Sequence, residues 1–122
     1  MNCHQMLSPC PNKPNCVSSL LAQDDAHFIL PLSLGDKPMH DWQSLIAIVM
    51  SIPRARIVSQ QDGYLHVECQ SRLFGFIDDL ALCLLVDDKV CHVRSAARSG
   101  YYDFNVNRKR IEKIRHALNL MA

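Results

Sequence analysis

From Asp41 the apolar positions Trp42, Leu45, Ile46, Val49 and Met50 fall at i, i+3, i+4, i+7 and i+8. That is the stripe of a helix lying on a core. Asp41 or His40 opens this helix, and Pro53 forces it to stop. A strand follows over residues 56–60, then Asp62-Gly63, a hairpin signal. Leu65, Val67 and Cys69 alternate with His66, Glu68 and Gln70, the period-two pattern of a half-buried strand. Phe74-Gly75-Phe76 reads as an aromatic turn, and residues 80–86 as a continuous apolar central strand. Asp87-Asp88 turns the chain into a strand over residues 90–96, where Cys91, Val93 and Ser95 face away from His92 and Arg94. A loop over residues 97–104 leads to a closing helix from Asn105 or Asn107 to Leu120, with Ile111, Ile114, Leu118 and Met121 as its buried stripe.

The first part of the chain is different. Up to about residue 26 there is no sustained periodicity, and Pro9, Pro11 and Pro14 each disfavour helix at the preceding residue. Residues 27–30 form a short strand candidate ended by Pro31, and Gly35-Asp36-Lys37-Pro38 is a turn. Both helices carry one apolar stripe, so both cover the same sheet face. The expected fold is α+β: a two-layer sandwich with a four- to five-stranded, mainly antiparallel sheet and two helices on one face, in the order β-α-β-β-β-β-α. Residues 1–26 precede it as an irregular Pro/Cys-rich arm packed on a single domain, 27–122. The other sheet face, lined by His66, Glu68, Gln70, His92 and Arg94, is either wet or covered by a partner.

A length of 122 residues with 48% hydrophobic content suits one domain of this kind. No apolar run approaches the ~20 residues of a membrane span. Residues 1–6 lack the basic and apolar regions of a secretory signal, so the chain as it stands is expected to be cytoplasmic. The net charge of +1 argues against bulk affinity for polyanions. Split by position, however, it is uneven. Residues 1–93 hold six basic side chains against ten acidic ones, a net of −4. Residues 94–122 hold Arg94, Arg98, Arg108, Lys109, Arg110, Lys113 and Arg115 against Asp103 and Glu112, a net of +5. Such asymmetry marks an anionic ligand site or an acidic partner, or two halves that neutralise each other. Nucleic acid is not expected, because no aromatic platform interleaves with the basic residues of the last helix.

The candidate chemistry concentrates in the segment Arg94-Ser95-Ala96-Ala97-Arg98-Ser99-Gly100, which precedes a helix whose terminal amides also favour anions. Asn107 and Arg108 stand at that helix start. Guanidinium groups favour bidentate contact with carboxylate or phosphate. We therefore take Arg94, Ser95, Arg98, Asn107 and Arg108 as the candidate ligand-binding set, with Arg72, Asp78, Asp79 and Asp103 as its supporting network. The competing reading is a closed network in which the arginines pair internally with Glu68, Asp78, Asp79 or Asp103. Asp78 and Asp79 are expected to cap or turn the chain, where they could share a proton or ion; in an extended chain they would point to opposite faces and could not. Cys10 and Cys16 are spaced C-x5-C, open to reduced thiols, a disulfide, or a metal site joined by Cys3 and His4. Cys69, Cys83 and Cys91 lie on strands as small core residues. No triad order, phosphate-cradling loop or dinucleotide fingerprint is present, and no metal, cofactor or catalytic residue is assigned.

Three separated stretches resemble the domain-of-unknown-function family 1499. They are Ser8-Pro9-Cys10-Pro11 with Pro14-Asn15-Cys16-Val17-Ser18-Ser19; Ser71-Arg72-Leu73-Phe74-Gly75-Phe76-Ile77-Asp78-Asp79; and Val93-Arg94-Ser95-Ala96-Ala97-Arg98-Ser99-Gly100-Tyr101-Tyr102-Asp103, followed by Asn107-Arg108-Lys109-Arg110-Ile111. They occur in the family's order and span nearly the whole chain. Within its R-S-x-S-R segment the family usually has serine where this chain has Ala97. The resemblance implies no activity. Many relatives look exported, lipid-anchored or organelle-targeted, which implies an exported compartment as the alternative and suits a Cys10–Cys16 disulfide. The functional expectation is a non-catalytic binding or accessory domain that takes a small anionic ligand or a protein partner. The alternatives are a structural module dimerising through the open sheet face, and a hydrolase or transferase with Asp78 or Asp79 as base.

Overall fold

The computed structural model describes residues 2–121. The elements are α1 (Cys3–Met6), β1 (Cys16–Ser18), β2 (Leu32–Ser33), α2 (Pro38–Met50), β3 (Ala55–Gln61), β4 (Tyr64–Gln70), β5 (Ile77–Leu85), β6 (Val90–Ala97) and α3 (Val106–Met121). The strands form one antiparallel sheet in the order β1-β6-β5-β4-β3, with β2 also paired to β6. The architecture is the expected α+β one, with two long helices on one face, but the sheet has six strands. The extra strand lies in the arm. Residues 16–18, expected within irregular chain, pair with the free edge of β6 from Cys16↔Ala96 to Ser18↔Arg94.

Of the strand expected over residues 27–30 only a single parallel bridge from Phe28 to Ser18 forms, and the short strand β2 follows at Leu32–Ser33. Arg108 takes the carbonyls of Ala26 and Phe28, and Arg115 those of Leu30 and Pro31. These carbonyls therefore accept from side chains of α3 instead of from a neighbouring strand. Pro38 starts α2 three residues before Asp41, because proline at the first helical position loses no hydrogen bond. The Asp62-Gly63 hairpin is present, with Gly63 at φ +75°.

The core lies between α2, α3 and the sheet. Trp42, Leu45 and Val49 from α2 and Ile111, Ile114 and Leu118 from α3 meet Leu65, Val67, Leu80, Leu82, Leu84, Cys91 and Val93. The stripes end earlier than expected, for Met50 and Met121 are exposed. Asn107, four residues before Ile111, joins the α3 stripe and is fully buried.

The second face is not bare. Cys3 and Leu7 pack with Ala81 and Cys83 into a smaller apolar cluster, edged by Met6, Leu20, Tyr64 and Leu85. A disulfide joins Cys3 to Cys83, with Cα atoms 5.8 Å apart. Cys83, expected to be a small core residue, thus fastens the arm across the sheet. Cys10 and Cys16 form a second disulfide, with Cα atoms 5.7 Å apart. Cys69 and Cys91 are buried free thiols. No helix among the described residues is long and apolar enough to cross a membrane.

Candidate functional site

The alternation of β5 decides how the charged residues divide. Asp78 and Asp79 are neighbours in an extended strand, so their carboxylates leave opposite sides of the sheet. On the helix side, Arg110 donates to Asp78 at 2.8 Å, and both side chains are 14% exposed. The same guanidinium donates to Asn107 Oδ1 (2.7 Å) and to Ser95 Oγ (3.1 Å). Ser95 in turn donates to Asn107 Oδ1 at 2.7 Å. The Asn107 amide group donates to the Asn15 carbonyl (3.2 Å) and to Asp103 Oδ2 (2.8 Å). Ser95 and Asn107 are both fully buried. This cluster ties β5, β6, the arm and the start of α3 together, and it leaves Ser95 and Asn107 out of solvent.

Asp103 also fixes the entry to α3, accepting from the backbone amides of Asn105 (2.9 Å) and Asn107 (3.2 Å). Phe104 and Asn105 take φ +55° and +62° to make that turn. Arg108 lies elsewhere again. It fastens residues 26–28 and lines a cavity of about 280 Å³ with Lys13, His27 and Tyr101. Arg72 is exposed in the turn after β4 and pairs with no carboxylate among the described residues. The five candidate ligand residues therefore do not converge on one point.

Arg94 and Arg98 do share a place, on the second sheet face. Arg98 bridges two carboxylates there, donating to Asp79 at 2.7 Å and 3.1 Å and to Glu68 at 2.6 Å. Arg56 pairs with the other oxygen of Glu68, and His66 Nε2 contacts Asp79 Oδ1 at 2.9 Å. Burial alone would raise the Asp79 carboxyl, but hydrogen bonds from Arg98 and His66 outweigh it and hold the group below its ordinary value. Glu68 is likewise lowered, by Arg98 first and Arg56 second. Both acids are thus held as carboxylates, with Nε and Nη2 of Arg98 bonded between them.

Arg94 is the exception. Among the described residues its one acceptor is the Pro9 carbonyl, reached by Nη2 at 3.2 Å, and its Nε is buried with no partner. Desolvation lowers its pKa, against the opposing pull of Asp79 and Tyr64. A guanidinium does not deprotonate in a protein, so a half-buried positive charge persists here. It borders a cavity of about 300 Å³ roofed by Met6, Leu7 and Ser8 and floored by Tyr64, His66, Asp79, Ala81 and Arg98. That volume suits a small anion with an apolar part no larger than a few carbons. Burial raises the Tyr64 hydroxyl pKa, so Tyr64 offers a proton-bearing donor beside the arginine. Arg110 was not among the candidates. Its placement three residues after Asn107 on the α3 stripe is the signal that marks it as inward-facing.

No group of three or more His, Cys, Asp or Glu side chains among the described residues is arranged to hold a metal ion. Comparison with curated proteins and with solved structures gives no match. Residues 6–118 match a family described as "Protein of unknown function (DUF1499)". That match takes in most of the arm, the Cys10–Cys16 disulfide, both sheet faces and nearly all of α3, so the chain belongs to the DUF1499 family.

Proposed function

We propose that the protein is a small binding domain, and that Arg94 receives the anionic group of a small ligand in the cavity between the arm and the second sheet face. The observation that carries this reading is the half-buried guanidinium with a buried Nε and no carboxylate partner among the described residues. A buried donor left without an acceptor costs about 1–3 kcal/mol, more when it is charged. A carboxylate or phosphate set against Nε and one Nη would remove that cost through two parallel charge-assisted bonds. The nearby acids do not compete for Arg94, because Asp79 and Glu68 are held by Arg98, His66 and Arg56.

The other two readings have less behind them. Asp78 is enclosed by Arg110, and Asp79 has both oxygens occupied, so neither carboxylate is free to act as a base. The most apolar part of the second face is occupied by Cys3 and Leu7, which leaves less of it for a second copy. Titration calorimetry with inorganic phosphate and with succinate at pH 7 tests the proposal. Saturable binding of one of them, weakened at least about tenfold in Arg94→Gln and unchanged in Arg108→Gln, is the expected result. If neither anion binds, or if Arg94→Gln binds as well as the parent, the proposal is wrong.

A further inference from the structure

The antiparallel order places one set of connections at one end of the sheet. Cys16 pairs with Ala96, Asp78 with Ala97, Gln70 with Ile77 and Ala55 with Cys69. Residues 8–15, 51–54, 71–76 and 98–105 therefore all leave the sheet together, beside the C-terminus of α2 and the start of α3. Two of these loops are aromatic and uncovered. Leu73, Phe74 and Phe76 in the first, and Tyr101, Tyr102 and Phe104 in the second, are between 50% and 83% exposed. The rings pair within each loop: Phe74 with Phe76 at 5.6 Å, and Tyr102 with Phe104 at 4.8 Å between centroids. Six large apolar side chains displayed on neighbouring loops are more than scattered surface residues require.

The charges in these loops and the first turn of α3 are basic except for Asp103, with exposed Asp24 and Asp25 lying just before the cavity residues Ala26 and His27. Arg72 stands inside the first aromatic turn, Lys13 shares a cavity with Tyr101, and Lys109 shares a groove with Val106, Ile52 and Pro53. Arg54 follows that groove and touches the Gln70 carbonyl. None of these four cations meets a carboxylate among the described residues, and the one acid in the loops, Asp103, is spent on Asn105 and Asn107. The opposite end is acidic. Asp62, Asp87 and Asp88 occupy its two hairpin turns, and Asp36 lies beside Lys89.

We propose that this end of the molecule docks on an anionic lipid surface, with the two aromatic loops entering the headgroup region and Lys13, Arg54, Arg72 and Lys109 facing the lipid phosphates. Aromatic side chains favour the interface between water and hydrocarbon, and each cation near an anionic leaflet strengthens binding by about fivefold. The acidic far end orients the molecule with the loops towards the surface, since an anionic plane repels Asp36, Asp62, Asp87 and Asp88. The contact is peripheral. It places the Arg94 cavity, on the second face of the same sheet, beside the bilayer and not within it.

The test is co-sedimentation of the oxidised protein with vesicles of phosphatidylglycerol and phosphatidylcholine, against vesicles of phosphatidylcholine alone. Binding is expected to the anionic vesicles, to weaken as salt rises, and to fall at least about tenfold in both Phe74→Ser/Phe104→Ser and Arg72→Glu/Lys109→Glu. Asp87→Asn/Asp88→Asn is expected to bind as the parent does. All the altered side chains are exposed, and circular dichroism confirms that each variant is folded before it is compared. Absence of binding to anionic vesicles overturns the proposal, as does binding that neither pair of substitutions weakens. A dimer in light scattering that Phe74→Ser/Phe104→Ser dissociates also overturns it, because the patch then belongs to a second copy.

Discussion

Asn107 donates its side-chain amide to the main-chain carbonyl of Asn15, 92 residues earlier, at 3.2 Å. The last helix and the arm are joined by that contact inside the protein, where neither group has water to turn to. Three more partners complete the amide: Asp103, Ser95 and Arg110. Buried polar groups satisfied in this way hold a structure in one arrangement, and removing one member leaves the others unpaired.

Substitution of Asn107 by alanine is accordingly expected to lower stability by about 2–4 kcal/mol, since it removes the acceptor of the buried Ser95 hydroxyl and one acceptor of Arg110. Urea unfolding at pH 7 measures this. A loss under about 1 kcal/mol would show that the neighbours find other partners.

Mild acid is expected to weaken the fold through His92. Ser19 Oγ accepts from the Val93 amide at 2.8 Å and lies 2.8 Å from His92 Nδ1 and 3.4 Å from the Val93 carbonyl, which holds the imidazole in a part-buried network. Burial first, and the nearby charge of His4 second, lower the His92 pKa from the ordinary 6.5. The unfolded chain therefore takes up this proton before the folded one does. The stabilising contribution is complete above about pH 6.5 and is lost as pH falls through that value towards the folded pKa. Asp79 and Glu68, both lowered, add a second loss below about pH 4, where the unfolded carboxylates protonate first. Urea midpoints at pH 7.5 and 5.5 are expected to differ in the parent and to converge in His92→Asn. Equal midpoints in the parent would contradict the assignment.

The two disulfides are expected to contribute unequally. Cys3–Cys83 closes a separation of 80 residues and Cys10–Cys16 one of six. In the chain-entropy account these correspond to about 4.5 and about 2 kcal/mol respectively. The doubly substituted Cys3→Ser/Cys83→Ser protein should thus unfold at markedly lower urea than Cys10→Ser/Cys16→Ser. Peptide mapping of the unreduced protein should recover both pairs. Cys69 and Cys91 are expected to react with alkylating agents only on unfolding, since both are buried and burial pushes the Cys91 thiol up to about 12. Rapid alkylation of either in native buffer would contradict this.

Local periodicity carried most of the fold. Leu65, Val67 and Cys69 alternate because one face of β4 is buried, and residues 80–85 run apolar because β5 is central. Trp42, Leu45 and Val49, like Ile111, Ile114 and Leu118, repeat at the pitch of a helix on one core. Such signals depend only on neighbours in the chain. β1 offers none, for its three residues are all buried and it exists only because the edge of β6 lies open to it. The opposed placement of Asp78 and Asp79 was not legible either: the pair was expected to cap or turn the chain, and only the extension of β5 back to Ile77 puts the two carboxylates on opposite faces.

What the second face holds was not legible in this way. Cys83 carries the same small apolar side chain whether it fills a core or bonds to Cys3, and only the path of the arm brings the two sulfurs together. Arg94, Arg98, Arg108 and Arg110 are alike as residues in one basic tail. The sheet separates Arg110 from Arg98 by facing them to opposite sides, and the arm half-buries Arg94 with no partner for its Nε among the described residues. The sequence alone determined the elements, their amphipathic faces and the charge available to the molecule, because those are set over a few residues. Only the tertiary structure decided which charges neutralise one another and which stay free, because each pairing depends on contacts between segments tens of residues apart.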